Sequence, residues 1–133
     1  MSSWLLVEDE PDLYEVLVHL SDIFATEVIA YTTAEDALSW LETLPLTLDG
    51  NRNRVPIFGL IDIRLPGQIN GIQLARHLHN HPLLKNMPVI LMTAYRLSWR
   101  EEKEAIRYSG ARRLIYKPLP SFAEMRQIFK ELT

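Results

Sequence analysis

The sequence predicts an α/β protein: a doubly wound sheet of five parallel strands, alternating with five helices that cover both faces in an α/β/α stack. Three observations carry this. Five short apolar runs of strand length recur along the 133 residues, and the segments between them repeat their apolar residues at helical spacing. Each run breaks off into a turn or an acidic cluster that leads to a helix start, the order expected of a parallel sheet with crossover connections. No repeat, low-complexity tract or linker divides the chain, so residues 1–133 read as one domain.

Composition narrows the function classes. A net charge of -3 argues against a dedicated nucleic-acid binder. The absence of cysteine excludes disulfides, thiolate metal sites and a cysteine nucleophile. No apolar segment approaches the roughly 20 residues of a membrane span, and the amino terminus lacks the basic and apolar regions of a secretory signal. The cytoplasm is the expected compartment.

The elements follow in order. Trp4-Leu5-Leu6-Val7 is a strand that ends in Glu8-Asp9-Glu10. Pro11 suits a first helical position, acids around it suit a helix amino terminus, and Leu13, Val16, Leu17 and Leu20 form the inward stripe. Glu27 to Tyr31 is the second strand. Thr32 and Glu35 are spaced as a capping box, opening a helix with Ala34, Ala37, Leu38 and Leu41 inward. Residues 45–56, from Pro45 to Pro56, form an insertion, since ordinary connections run about 2–6 residues. Leu46 and Leu48 are expected to pack part of it down.

Ile57 to Ile63 is the third strand, an apolar run that carries Asp62 to a Pro66-Gly67 turn. Asn70 and Gln73 are spaced as a capping box for a third helix with Ile72, Ala75 and Leu78 inward, which Pro82 must end. Pro88 to Met92 is the fourth strand, followed by Thr93-Ala94-Tyr95. Ser98 and Glu101 cap a helix with few apolar residues, chiefly Trp99, Ala105 and Ile106, and Gly110 closes it. Arg113 to Tyr116 is the fifth strand and runs into Lys117-Pro118. Ser121 and Glu124 open the last helix, with Phe122, Met125, Ile128, Phe129 and Leu132 inward.

The chemistry gathers at the strand ends. In a parallel sheet the carboxyl ends share one edge, which brings Glu8, Asp9, Asp62, Thr93 and Lys117 toward each other. Two like charges about 4 Å apart repel by roughly 4 kcal/mol at a surface-like dielectric, so such acids protonate one member or recruit a cation. Oxygen ligands without cysteine or converging histidine suit a hard ion such as Mg²⁺.

This constellation closely resembles the receiver domain of two-component response regulators, the CheY-like family. The marks are Glu8-Asp9, Asp62 within Asp-Ile-Arg-Leu-Pro, Thr93-Ala94 and Lys117-Pro118. The resemblance covers essentially the whole chain and implies a flavodoxin-like (βα)5 fold. It implies that Asp62 is the phosphoacceptor for a histidine kinase or histidine phosphotransfer protein, with Thr93 and Lys117 holding phosphoryl oxygens. It implies Mg²⁺, with Mn²⁺ as a substitute, held by Glu8, Asp9, Asp62 and the Arg64 backbone carbonyl. Small Ala94 would leave the phosphoryl oxygens accessible, and Arg64 and Tyr95 flank the acceptor where its phosphoryl lifetime would be tuned. The fourth helix, fifth strand and last helix would form the output face toward a downstream effector protein or domain, or toward a second copy. Such a protein is a signalling switch, at most phosphorylating and dephosphorylating itself.

Three departures stand out. The family commonly carries an aromatic residue three positions before the lysine, where this chain has Leu114; Tyr116 points the same way by strand alternation and offers itself instead. The turn between Pro66 and Gly71 has one residue more than usual. The third departure is the 45–56 insertion, expected on the edge opposite the site. Leu114 and the insertion motivate an alternative, a phosphorylation-independent interaction module on the same fold. A flavin carrier of similar topology lacks a phosphate-cradling glycine loop. Of His77, His79 and His81 only the outer two share a helix face, which does not make a metal site. Arg107, Arg112 and Arg113 read as a solvated face, and direct contacts with nucleic acid or membrane are not expected.

Overall fold

The computed structural model describes residues 2–23, 26–47 and 55–132. Its strands are β1 (Ser3–Val7), β2 (Glu27–Tyr31), β3 (Gly59–Asp62), β4 (Val89–Thr93) and β5 (Arg113–Tyr116), each followed by a helix: α1 (Pro11–Ile23), α2 (Ala34–Glu42), α3 (Gly71–His79), α4 (Trp99–Ser109) and α5 (Phe122–Leu132). All pairings are parallel, in the order β2-β1-β3-β4-β5. This is the flavodoxin-like doubly wound order, whose switch point lies between β1 and β3.

Strand alternation divides the core. Leu5, Val7, Ile61 and Leu91 face α2, α3 and α4, meeting Ala34, Ala37, Leu74, Leu78 and Ala105. Trp4, Leu6, Leu60, Ile90 and Met92 face α1 and α5, meeting Leu17, Leu20, Met125, Ile128 and Phe129. Trp4 stacks on Phe58 at 5.4 Å between centroids, and Phe58 on Phe129 at 4.5 Å, so three aromatic rings fill one end of that second layer. Central strands buried on both faces require continuous apolar runs, which is why they are legible in the sequence.

The capping boxes at Asn70/Gln73 and Ser98/Glu101 form as expected, with both reciprocal bonds in each. Ser121 accepts from Glu124 N at 3.3 Å at the start of α5. Gly110 ends α4 at φ 78°. The α2 cap differs: Thr33, not Thr32, is the N-cap and accepts from Asp36 N at 3.0 Å, leaving the Glu35 carboxylate for another partner.

Three inward assignments are corrected, and Trp99, which the sequence left open, is 71% exposed while Ala105 makes the core contact of α4. Val16 is exposed because the α1 stripe runs through Leu17 and Leu20. Phe122 is exposed at the start of α5, and Leu119 packs against that layer ahead of it. Leu46 is exposed because Leu44, just past α2, takes the buried place. Leu48 and most of the insertion, residues 48–54, lie outside the described residues. Ile57, the residue that follows the insertion, donates its N–H to Ser3 O at 2.8 Å, at the start of β1.

Candidate functional site

The carboxyl edge of the sheet brings one buried charge cluster together. Glu8 follows β1 with 0% exposure, and Asp62 ends β3 with 4%. Lys117 follows β5 and spans the strands between: its Nζ donates to Glu8 Oε1 at 2.7 Å and to Asp62 Oδ2 at 2.9 Å. The lysine backbone is tied down as well, its N–H donating to Thr93 O at 2.8 Å, and the Lys117–Pro118 peptide is cis. A buried ammonium with two carboxylate partners costs less than one left alone, and loss of any member strands the others.

The electrostatics remain unbalanced. Burial, followed by hydrogen bonding to Asp62, pushes the Glu8 carboxyl up to about 8 despite the nearby lysine. Burial alone would lower the Lys117 ammonium, but its bonds to Glu8 and Asp62 outweigh it and the net shift is upward. Glu8 Oε2 is buried without a hydrogen-bond partner. Exposed Asp9 completes the set: one ligand atom from each of Glu8, Asp9 and Asp62 lies within 4.8 Å of the others. An orphaned buried oxygen beside two further carboxylates fits a hard divalent cation, which supplies the charge that Lys117 alone does not.

Two connections border this cluster. The β3–α3 connection starts with Arg64 N donating to Asp62 Oδ1 at 3.2 Å. It ends with Gly71 N on Ile63 O at 2.8 Å, and a Cβ at Gly71 would stand 2.0 Å from Asp62 O, so only glycine fits there. The β4–α4 connection starts at Thr93, whose Oγ1 accepts from Tyr95 N at 3.1 Å. The two meet through the Arg64 guanidinium, which lies 3.9 Å from the Tyr95 ring centroid.

All five residues singled out at the strand ends lie on this edge, four of them buried or largely so. Arg64 joins through its backbone N–H, while its side chain turns to Tyr95. Four sets of contacts were not read from the sequence. Tyr116 Oη accepts from Leu97 N at 3.2 Å and donates to Glu102, with Arg96 over its ring, so β5 is latched to α4. His79 sets both ring nitrogens on carbonyls, Nδ1 on Ser109 O at 2.7 Å and Nε2 on Met87 O at 2.8 Å, and is structural. His81 Nδ1 accepts from Leu83 N, a turn contact rather than a ligand position. Glu35 reaches the β3–α3 connection; the only signal for it was the second threonine, Thr33, which could cap α2 with Asp36 and free the glutamate.

Comparisons with known proteins bear on the family and the fold. The sequence profile of the response regulator receiver domain matches residues 4–130. The cyclic di-GMP phosphodiesterase response regulator RpfG of Xanthomonas campestris is 32% identical over 91 residues, which are 67% of this chain and 21% of that protein. The polar-differentiation response regulator DivK of Brucella ovis is 35% identical over 79 residues, 58% of this chain and 62% of that one. The matches therefore span about a fifth and about three fifths of those relatives. The receiver domain of a signal transduction histidine kinase from Syntrophus aciditrophicus superposes with a TM-score of 0.77 at 25% identity, over 99% of this chain and 89% of the other.

Proposed function

The chain belongs to the response regulator receiver family of two-component signalling, and from that premise we propose that it is a phosphoacceptor switch charged on Asp62. The donor is the phosphohistidine of a histidine kinase or histidine phosphotransfer protein. The observation that carries this reading is the buried Glu8–Lys117–Asp62 cluster, with its 2.7 Å and 2.9 Å contacts beside Thr93. A carboxylate, an ammonium and a hydroxyl at one strand edge are what in-line phosphoryl transfer needs, because its catalysis is mostly positioning and charge neutralisation.

In the proposed step an Asp62 carboxylate oxygen attacks phosphorus. The P–O bond forms as the P–N bond to the donor imidazole breaks, and the imidazole leaves with the electron pair and takes a proton. Lys117, held over Asp62, moves its N–H donors onto the incoming phosphoryl oxygens. Thr93 Oγ1 accepts from Tyr95 N, so its hydroxyl hydrogen is available to a phosphoryl oxygen. The Arg64 and Tyr95 side chains, paired two residues past Asp62 and Thr93, are where the lifetime of the acyl phosphate would be tuned. A divalent cation, Mg²⁺ with Mn²⁺ as substitute, fits Glu8, Asp9, Asp62 and the Arg64 carbonyl, and when bound it offsets the charge gathering between acceptor and phosphoryl oxygens.

Residues 1–133 are assigned as one receiver domain with an insertion at about 45–56, acting in the cytoplasm. No helix among the described residues is long and apolar enough to cross a membrane. The receiver family is a signalling switch rather than a classical enzyme, and the only turnover proposed here is cation-dependent self-phosphorylation and loss of its own phosphoryl group. Output runs through the α4–β5–α5 face to an effector protein or domain, or to a second copy. Reversing a two-state equilibrium from 1:99 to 99:1 takes about 5.5 kcal/mol. Two charge-assisted bonds from Thr93 and Lys117 to the phosphoryl group, at roughly 1.5–3 kcal/mol each, supply much of that.

The test is mass spectrometry after incubation with a small acyl phosphate and Mg²⁺. One phosphoryl group is expected on the wild type and none on Asp62→Asn; an unmodified wild type overturns the reading. The Tyr116 latch favours one alternative, a module that binds its partner without phosphorylation, because Tyr116 is already tied to α4. Partner affinity unchanged by Asp62→Asn and by a chelator would select it.

A further inference from the structure

The β3–α3 connection, residues 63–70, does not hang free. Its apex turns at Gly67, with φ 95°. The next two amides converge on one oxygen from a distant helix: Gln68 N and Ile69 N donate to Glu35 Oε2 at 2.9 Å and 3.3 Å. Glu35 sits in the first turn of α2, and its carboxyl is held below the usual carboxylate range chiefly by the Gln68 bond. Its other oxygen, Oε1, is buried without a hydrogen-bond partner, pressed against Gly67. A Cβ at Gly67 would come within 2.7 Å of it, so glycine is required there twice over, for the positive φ and for the space. The start and end of this same connection are fixed to the Asp62 and Ile63 backbone and carboxylate through Arg64 N and Gly71 N.

We propose that Glu35 is a positioning residue for the acceptor pocket. By clamping the Gly67–Ile69 backbone onto α2, it fixes the connection that begins at Asp62 and thereby sets the Arg64 amide on the acceptor carboxylate and the Arg64 carbonyl toward the cation. At residues 63–70 the connection exceeds the about 2–6 residues usual between a strand and its helix, and a longer loop gains freedom that two bonds to a single charged oxygen remove at the apex. The role toward the phosphoryl group rests on Asp62 being the acceptor; the role toward the cation does not.

The test compares wild type, Glu35→Ala, Glu35→Gln and Gly67→Ala without any phosphoryl donor. In Glu35→Ala, amide hydrogen exchange should accelerate at Gln68 and Ile69 but not in β3 or α3. Mg²⁺ binding, followed by NMR titration, should weaken by about tenfold, the low end for residues acting behind the ligands. Glu35→Gln keeps a carbonyl that accepts both bonds and should recover most of the affinity. Gly67→Ala should weaken Mg²⁺ binding at least as much as Glu35→Ala, because its Cβ displaces the Glu35 carboxylate and its positive φ strains the apex, and the double variant should lose no more than Gly67→Ala alone. A merely structural role would lower the melting temperature and leave Mg²⁺ affinity unchanged; that result overturns the proposal, as does unchanged exchange at Gln68 and Ile69, or a wild type that binds no Mg²⁺. If the clamp behaves as expected while the wild type accepts no phosphoryl group, the acceptor reading falls and the clamp stands.

Discussion

The two connections that border Asp62 are held in opposite ways. The β3–α3 connection is tied through its backbone: Arg64 N on Asp62, Gly71 N on Ile63, and Gln68 N and Ile69 N on Glu35. The β4–α4 connection is tied largely through exposed or half-buried side chains: Arg64 over Tyr95, Arg96 over Tyr116, and Tyr116 Oη between Leu97 N and Glu102. Backbone amides cannot leave a carboxylate without moving the chain, whereas a phenol can change partner by rotating. The first connection is therefore built as a fixed wall of the pocket, and the second as the side able to respond. The helix that follows the second fits this, since Trp99 and Tyr108 stand exposed and Ala105 and Ser109 are its buried residues.

The largest expected effect comes from removing the ammonium on which the β3–α3 side is anchored at Asp62. Lys117→Met leaves Glu8 and Asp62 as buried acids without a cation, and should lower the unfolding free energy by about 3 kcal/mol in metal-free protein, read from denaturant titration. Added Mg²⁺ should return part of it. A wild-type-like midpoint would mean the cluster is not anchoring that wall.

Proton loss from Glu8 loads the same anchor. Its folded value of about 8 lies above the ordinary 4.5, so the unfolded chain gives up this proton first. This contribution to stability is complete below about pH 4.5 and declines as pH rises to about 8, in the absence of divalent cation. Mg²⁺ should flatten the dependence, because it replaces the proton on the buried carboxylate. Urea midpoints at intervals between pH 5 and 8, with and without Mg²⁺, measure it.

Tyr116→Phe separates the two connections. It leaves Leu97 N and Glu102 without their phenol and should lower the urea midpoint by less than Lys117→Met does. Hydrogen exchange should rise at Leu97 and in the first turn of α4, with Gln68 and Ile69 unchanged. Equal loosening on both sides would break the distinction drawn above. The smallest change in stability belongs to Arg64→Ala, about 0.5 kcal/mol for an exposed cation–aromatic contact. Its effect should appear instead as a shorter phosphoryl lifetime, followed as decay of the modified mass after the donor is removed.

Much of this could be read along the chain, for identifiable reasons. Runs such as Leu5-Leu6-Val7 and Val89-Ile90-Leu91-Met92 are buried on both faces, and nothing but continuous apolar sequence satisfies that. Asp62 and Lys117 are legible because a charge at the end of such a run has one destination, the carboxyl edge of the sheet. Helix stripes were less secure: Val16 and Phe122 keep helical spacing yet face solvent, because periodicity gives a direction around the helix but not how far the sheet extends beneath it. Capping at α2 was ambiguous for a related reason, as adjacent Thr32 and Thr33 offered two registers one residue apart.

The order of elements, the parallel sheet and the set of groups at its edge follow from local pattern and from the geometry common to all such sheets. Which residues meet across long separations follows from packing alone: Lys117 bridging Glu8 and Asp62, Tyr116 bonding to Leu97 and Glu102, and Glu35 closing on Gln68 and Ile69. These contacts depend on how far a side chain reaches and on which oxygen a nearer cap leaves free. Both are set by the packing of α2 and α4 on the sheet, which no local pattern encodes.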